Sequence, residues 1–154
     1  EETKPMGTID ALSLIDNIKN EHVLVTNSDI LTNIDYEDFY LDFLKNDADI
    51  SMVTIPYKVV IPYGVVNGKQ NQVKEIQEKP TYTYYSNAGI YLMKRDVLFS
   101  IPKNTFFNAT DLITNELSKN KKVISYSFSG YWLDIGKPED YERAQTDIKH
   151  INFD

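Results

Sequence analysis

The sequence contains no cysteine, which excludes disulfides and thiolate metal sites. Histidine is scarce: His22 lies at a strand start and His150 near the tail. Neither has a recognisable partner, so both read as structural or solvated, and no Ser-His-Asp or Cys-His arrangement can be assembled. No apolar run reaches the roughly 18 residues of a membrane helix, and no secretory leader is visible. No membrane partner is expected. Positive charge is in deficit, with a formal net charge of -7, which argues against a nucleic-acid surface. A phosphorylated ligand would need local cations or a metal. The opening Glu1-Glu2-Thr3-Lys4-Pro5 lacks an initiator Met and looks like a loop entering a helix, as in a chain cut from a longer protein. A cytoplasmic location is expected.

What is present suffices for one domain with a real core: 154 residues, 42% hydrophobic, with 11 Tyr and 7 Phe. There is no internal repeat, low-complexity segment or linker. Residues 8–18 suit a helix with Thr8 as N-cap. His22–Thr26 is a continuous apolar run, the pattern of a buried, parallel strand, and it ends at the turn signal Asn27-Ser28-Asp29. Tyr36, Phe39, Tyr40, Phe43 and Leu44 recur at helical spacing after Asp35, a suitable cap. Ile50–Ile55 reads as the next strand, ended by Pro56. Tyr63–Asn67 and Val73–Gln77 flank a hairpin loop. Ala88–Met93 and Val123–Phe128 read as strands. Ala109, Leu112, Ile113 and Leu117 mark a helix starting near Asn108. Tyr131–Ile135 leads into a loop. Pro138 fits the first turn of a last helix through about Lys149, with Glu139 and Asp140 at its positive end. Alternating β and α units with an inserted hairpin predict an α/β domain with a mixed, mainly parallel sheet. In such sheets ligands bind beyond the carboxyl ends of the strands. That rule selects Asn27–Asp29 and Leu133–Gly136.

Four constellations carry candidate chemistry. Asp29 directly follows an apolar strand and could offer hard oxygen ligands to Mg2+ or Mn2+, though a strand-end Asp also caps turns. Asp134 sits between Leu133 and Ile135. A buried carboxylate there needs a partner, which a metal, a Lys or a helix N-terminus could supply. Trp132 reads as core. Glu78-Lys79-Pro80 places neighbouring side chains on opposite faces of an extended strand, and Pro80 biases Lys79 towards extended geometry. Lys79 could hold a phosphate and Glu78 accept from hydroxyls, or the two could be a solvated pair. Tyr63-Gly64 and Asn87-Ala88-Gly89 allow close backbone approach to a ligand, or are ordinary turn residues.

In order along the chain stand K-P-M-G-T, V-T-N-S-D, P-Y-G-V-V, E-K-P, N-A-G-I-Y and W-L-D-I-G-x-P-x-D-Y. This ordered set resembles the sugar-1-phosphate nucleotidylyltransferase family over nearly the whole chain. It looks closest to the bacterial mannose-1-phosphate guanylyltransferase-like branch, which serves polysaccharide biosynthesis. The resemblance implies a Rossmann-like nucleotide-diphospho-sugar transferase fold. It implies transfer of a nucleotidyl group from a nucleoside triphosphate, GTP favoured, to a sugar 1-phosphate, with Mg2+ as cofactor and release of pyrophosphate. It also implies roles. Asp29 and Asp134 match the metal aspartates and Lys79 the lysine that grips the sugar phosphate. Glu78, Gly64 and Asn87 match contacts around the sugar, and Gly7 matches a glycine beside the base.

Two departures stand out. Ser28 replaces the family's usual Gly, which bears on the nucleoside. The family's opening strand and glycine-rich basic loop have no match here, so residues 1–154 resemble the C-terminal two-thirds of the catalytic domain. In the family the first strand pairs beside the match of His22–Thr26. An open strand edge, self-association or low stability, and little activity of the 154 residues alone are therefore expected. Two other functions fit strand-end carboxylates: a non-catalytic sugar-nucleotide-binding module and a glycosyltransferase. The metal pair disfavours the first, and the E-K-P and W-L-D-I-G motifs disfavour the second.

Overall fold

The computed structural model describes residues 7–15, 17–103 and 105–152. Its strands are β1 (His22–Thr26), β2 (Ile30–Thr32), β3 (Ile50–Val60), β4 (Val65–Lys69), β5 (Gln72–Gln77), β6 (Thr81–Lys94), β7 (Val123–Ser127) and β8 (Trp132–Asp134). Its helices are α1 (Tyr36–Lys45), α2 (Arg95–Leu98), α3 (Ala109–Ser118) and α4 (Pro138–Asp147). The main sheet runs β1-β6-β3-β7, while β2 pairs with β8 and β4 with β5 in separate two-stranded ribbons. No helix among the described residues is long and apolar enough to cross a membrane.

The class is α/β with a mixed sheet, but most pairings are antiparallel. Among the described residues only β3 and β7 run parallel. β6 returns from a hairpin antiparallel to β3 and inserts between β3 and β1, so β1 pairs antiparallel with it, from His22↔Lys94 to Thr26↔Ile90. The continuous apolar run of β1 therefore does not mark a strand buried on both faces. β1 lies at the sheet edge, with Leu24 44% exposed.

Strand alternation on β6 divides the core. Ile90 and Leu92 face one cluster with Phe39 and Phe43 of α1, and Tyr91 and Met93 face another with Leu112 of α3 and Val97 and Leu98 of α2. Asp35 caps α1 as its position predicts, its Oδ1 accepting from the amides of Glu37 and Asp38. Of the five residues at helical spacing only Phe39 and Phe43 are buried; Tyr36, Tyr40 and Leu44 stay exposed. Burying Phe39 fully is worth about 3–5 kcal/mol against alanine. α3 begins after Asn108, which forms a reciprocal capping box with Asp111.

Pro56 does not end β3. β7 leaves its side at Thr54↔Ser127, so beyond that point a proline has no ladder bond to forfeit on the open side. β3 and β6 thus continue as an antiparallel arm to Val60↔Thr81, beyond which the β4–β5 hairpin follows. Its turn, Gln70-Asn71, has φ of 50° and 64°. The predicted helix over 8–18 is instead a short 3-10 turn, Asp10–Leu14. Ile9 is buried in the core, but Leu14 and Ile15 are exposed and Ile15 is extended, so no continuous helical face is buried. Within Tyr131–Ile135, β8 pairs with β2, and Asp134 ends that short strand before the loop.

Candidate active site

At the carboxyl end of β1 the chain turns away from the sheet. The Asn27 amide donates to the Gly89 carbonyl at 2.9 Å. Gly89, within β6, has φ +73°, a conformation that suits glycine, and a Cβ there would also crowd Asn27 Nδ2 at 2.8 Å. The chain then enters β2, whose Ile30 lies opposite Asp134 of β8. The Ile135 amide donates to the Asp29 carbonyl at 2.8 Å. Residues distant in sequence are thereby clamped side by side through their backbones.

The two carboxylates converge. Asp134 Oδ1 accepts from the Gly136 amide at 2.9 Å. A Cβ on Gly136 would sit 3.0 Å from Asp134 Oδ1 and 3.7 Å from Asp29 Oδ2. Gly136 therefore keeps open a space that both carboxylates border. Asp134 is exposed rather than buried, because strand alternation turns Leu133 into the core and Asp134 outwards. Its charge needs no compensating partner to be tolerated.

Beside this pair lies a polar cleft of about 260 Å³, lined by Thr8, Asn27, Asn87, Tyr91, Asn108 and their neighbours. A hollow of about 330 Å³ adjoins it, sharing Thr8 and Asn27 and ending at Asp29. Asn87 is fixed by two bonds: its Nδ2 donates to Tyr91 Oη at 2.6 Å and its Oδ1 accepts from the Gly89 amide at 3.0 Å. Burial raises the Tyr91 hydroxyl pKa, and the bond from Asn87 only partly opposes that, so the phenol stays protonated at neutral pH. Thr8 does not cap a helix of its own. Its Oγ1 accepts from the Ala109 amide at 3.2 Å and ties the segment to α3. Gly7 has φ +124° and a Cβ there would meet the Phe107 carbonyl oxygen at 2.2 Å, so its place beside the cleft depends on having no side chain.

The remaining sequence candidates sit elsewhere. A Cβ on Gly64 would lie 3.3 Å from Glu78 Oε2, which brings these two together at the base of the hairpin. Glu78 and Lys79 are not on an extended strand; they form a bend between β5 and β6. Lys79 has φ +43°, against the extended bias imposed by Pro80, at the bend where the β4–β5 ribbon gives way to the β3–β6 arm. Neither Glu78 nor Lys79 lines the cleft around Asn87. His22, expected to be unpartnered, bonds through Nδ1 to Tyr40 Oη at 3.0 Å and packs edge-on against Phe43. Trp132 is core-packed and its Nε1 donates to the Ala88 carbonyl at 2.9 Å, tying β8 to the site end of β6. Asn27, within the strand-end segment that the sheet rule selects, lines the cleft, and Thr8, Tyr91 and Asn108 line it without having been singled out as site residues. Tyr91 in an apolar strand gave only a core signal, and Thr8 and Asn108 only helix-start signals.

The sequence profile described as nucleotidyl transferase matches residues 1–151. The chain belongs to the nucleotidyl transferase family. Among this family's curated members, glucose-1-phosphate adenylyltransferase of Halalkalibacterium halodurans is 28% identical over 158 residues, covering 92% of this chain and 41% of that enzyme. The Clostridium perfringens enzyme of the same name is 29% identical over 161 residues, covering 92% and 40%. The crystal structure of HddC from Yersinia pseudotuberculosis matches at TM-score 0.65 and 26% identity, covering 96% of this chain and 64% of that one. A putative glucose-1-phosphate thymidylyltransferase from Bacillus anthracis shares the fold at TM-score 0.71 and 24% identity, covering 99% and 65%. This nucleotidyl transferase chain thus spans about two-fifths of the curated relatives it matches.

The donor set fits a magnesium ion in a nucleotidyl transferase. Two carboxylates with hard oxygens border the space kept by Gly136. No group of three or more His, Asp or Glu converges among the described residues. Magnesium commonly takes one or two carboxylates and completes its shell with water and substrate phosphates, so a pair is the donor count this chemistry needs.

Proposed function

We propose that the protein transfers a nucleotidyl group from a nucleoside triphosphate to a sugar 1-phosphate, forming a nucleotide sugar and releasing pyrophosphate. The observation that carries this reading is the convergence of Asp29 and Asp134 at Gly136, beyond the carboxyl end of β1. Family membership over residues 1–151 supports it. A phosphate oxygen of the sugar phosphate attacks the α-phosphorus, a P–O bond forms, and the bond to the leaving pyrophosphate breaks. Such a step needs positioning and charge neutralisation more than covalent catalysis. Asp29 and Asp134 would hold Mg2+, which when bound would neutralise phosphate charge. Lys79 grips the sugar phosphate, and Glu78 accepts from sugar hydroxyls with Gly64 beside it. Asn87, locked by Tyr91 and Gly89, presents a fixed polar edge to the sugar. Gly7 and Thr8 border the nucleoside side of the cleft.

The base is a finer question. GTP is the donor expected from the branch resemblance. The curated relatives are named for adenylyl transfer, and HddC was also solved complexed with GMP-PN. A panel of nucleoside triphosphates against sugar 1-phosphates, run on the full-length protein with pyrophosphate release as readout, tests the proposal. One productive pair is the expected result. No release with any pair, or detection of a glycosidic product instead, would overturn it.

A further inference from the structure

The β4–β5 hairpin holds a reactive peptide bond unrelated to the transfer chemistry. Asn67-Gly68 is the one Asn-Gly pair in the sequence. Both residues are exposed on β4. The ladder is interrupted at that bond: Asn67 pairs with Glu75 and Gly68 with Val73, leaving Lys74 of β5 without a partner. β4 and β5 pair only with each other, and an isolated two-stranded ribbon is marginal in water. Local opening there is cheap, and opening frees Asn67 from the extended geometry that holds its side-chain carbon away from the next amide. Glycine is required at 68, where a Cβ would lie 2.2 Å from the Gln72 carbonyl oxygen. The hairpin's own geometry therefore keeps the residue that leaves the amide unshielded.

We propose that Asn67 is a site of spontaneous deamidation. The Gly68 amide nitrogen attacks Asn67 Cγ. A new N–Cγ bond forms, the Cγ–Nδ2 bond breaks, and ammonia leaves with the proton lost from the amide. Water then opens the cyclic imide at either carbonyl, giving aspartate or isoaspartate. No oxidant or reductant is needed. Either product adds a negative charge to a chain already at -7. The new carboxylate faces Glu75 across the ribbon, where like charges destabilise pairing. Isoaspartate also lengthens the backbone by one carbon within β4. The inference stands independently of the reaction proposed above.

Trypsin releases residues 59–69 as a peptide in which Asn67 is the only asparagine. The test ages the folded protein at mildly alkaline pH and follows that peptide by mass spectrometry, with the free synthetic peptide as control. The expected result is the mass gain of an amide replaced by a carboxyl, in two chromatographic forms. One form accepts methyl groups from isoaspartate methyltransferase. Conversion should outpace every other asparagine peptide by roughly tenfold, as the low cost of local opening implies. An Asn67→Gln variant should show none. Silence at residues 59–69 while the free peptide converts would overturn the proposal, as would conversion no faster than at other asparagines.

Discussion

Lys79 combines an exposed cation with a left-handed backbone, φ +43°, directly before a proline. A non-glycine residue in that region costs on the order of 1 kcal/mol or more and persists where its surroundings dictate it. Here the bend between β5 and β6 dictates it, and the outcome is a lysine at the end of the arm with no ion pair to another described residue. Lys79→Ala should raise KM for the sugar 1-phosphate by roughly tenfold or more, the scale of one charge-assisted bond, and change KM for the nucleotide much less. Steady-state kinetics on the full-length protein would show this, and equal shifts in both constants would speak against a sugar-phosphate role. Gly64 and Gly89 have comparable standing. Each borders a polar side chain, Glu78 or Asn27, at a distance a Cβ would crowd. The motifs pointed to these residues, but which ones meet is set by pairing between distant strands, and spacing along the chain does not encode that.

At the scale of elements, β1 presents an edge unpaired among the described residues, with the sequence HVLVT, which lacks the proline or charge that natural edges use. Beside it Tyr36, Tyr40 and Leu44 of α1 are exposed at i, i+4 and i+8. The 154-residue chain should therefore associate with rising concentration, and Leu24→Lys should reduce that association. Light scattering coupled to size exclusion checks both; a monomer at every concentration would refute the edge account. The location of most elements was legible, because periodicity and caps are local: α1 after Asp35, α3 after Asn108 and α4 at Pro138 all fall where their signals lie. Strand direction and extent were not legible. The apolar run of β1 suited burial on both faces, whereas its single neighbour, β6, is fixed by the long return from the arm. Pro56 suggested a stop, yet it falls where β7 no longer needs a partner.

For the molecule as a whole, the acidic balance has two consequences. The first concerns pH. Lys94 Nζ lies 2.9 Å from Asp47 and 3.4 Å from Asp49 at the end of the sheet opposite the site. Burial alone would raise the Asp49 pKa, but the bond from the Lys122 amide and the charges of Lys94 and Lys121 outweigh it and leave it lowered. A lowered carboxylate stabilises the fold at pH above its unfolded value, and that contribution is lost as pH falls through the folded value. The raised pKa of Lys94 has the opposite sense, its contribution being lost only as pH rises through its folded value in the alkaline range. Thermal melts should thus decline below about pH 4, the ordinary carboxylate range, and Lys94→Met should flatten that decline. An identical acid profile in the variant would show that the cluster contributes nothing.

The second consequence belongs to the proposed reaction: an acidic chain meeting two phosphorylated substrates would need a cation, and Asp29 and Asp134 beside Gly136 are its proposed ligands. The most direct test is turnover of the productive substrate pair by full-length Asp29→Asn, Asp134→Asn and the double variant, with Mg2+ varied and thermal stability followed. Each single change should cost roughly a hundredfold or more in kcat. The double change should cost little beyond the worse single one, as for two ligands of one ion. Stability should be nearly untouched, since Asp29 holds β8 through its backbone carbonyl. Unchanged turnover in either single variant would contradict the account.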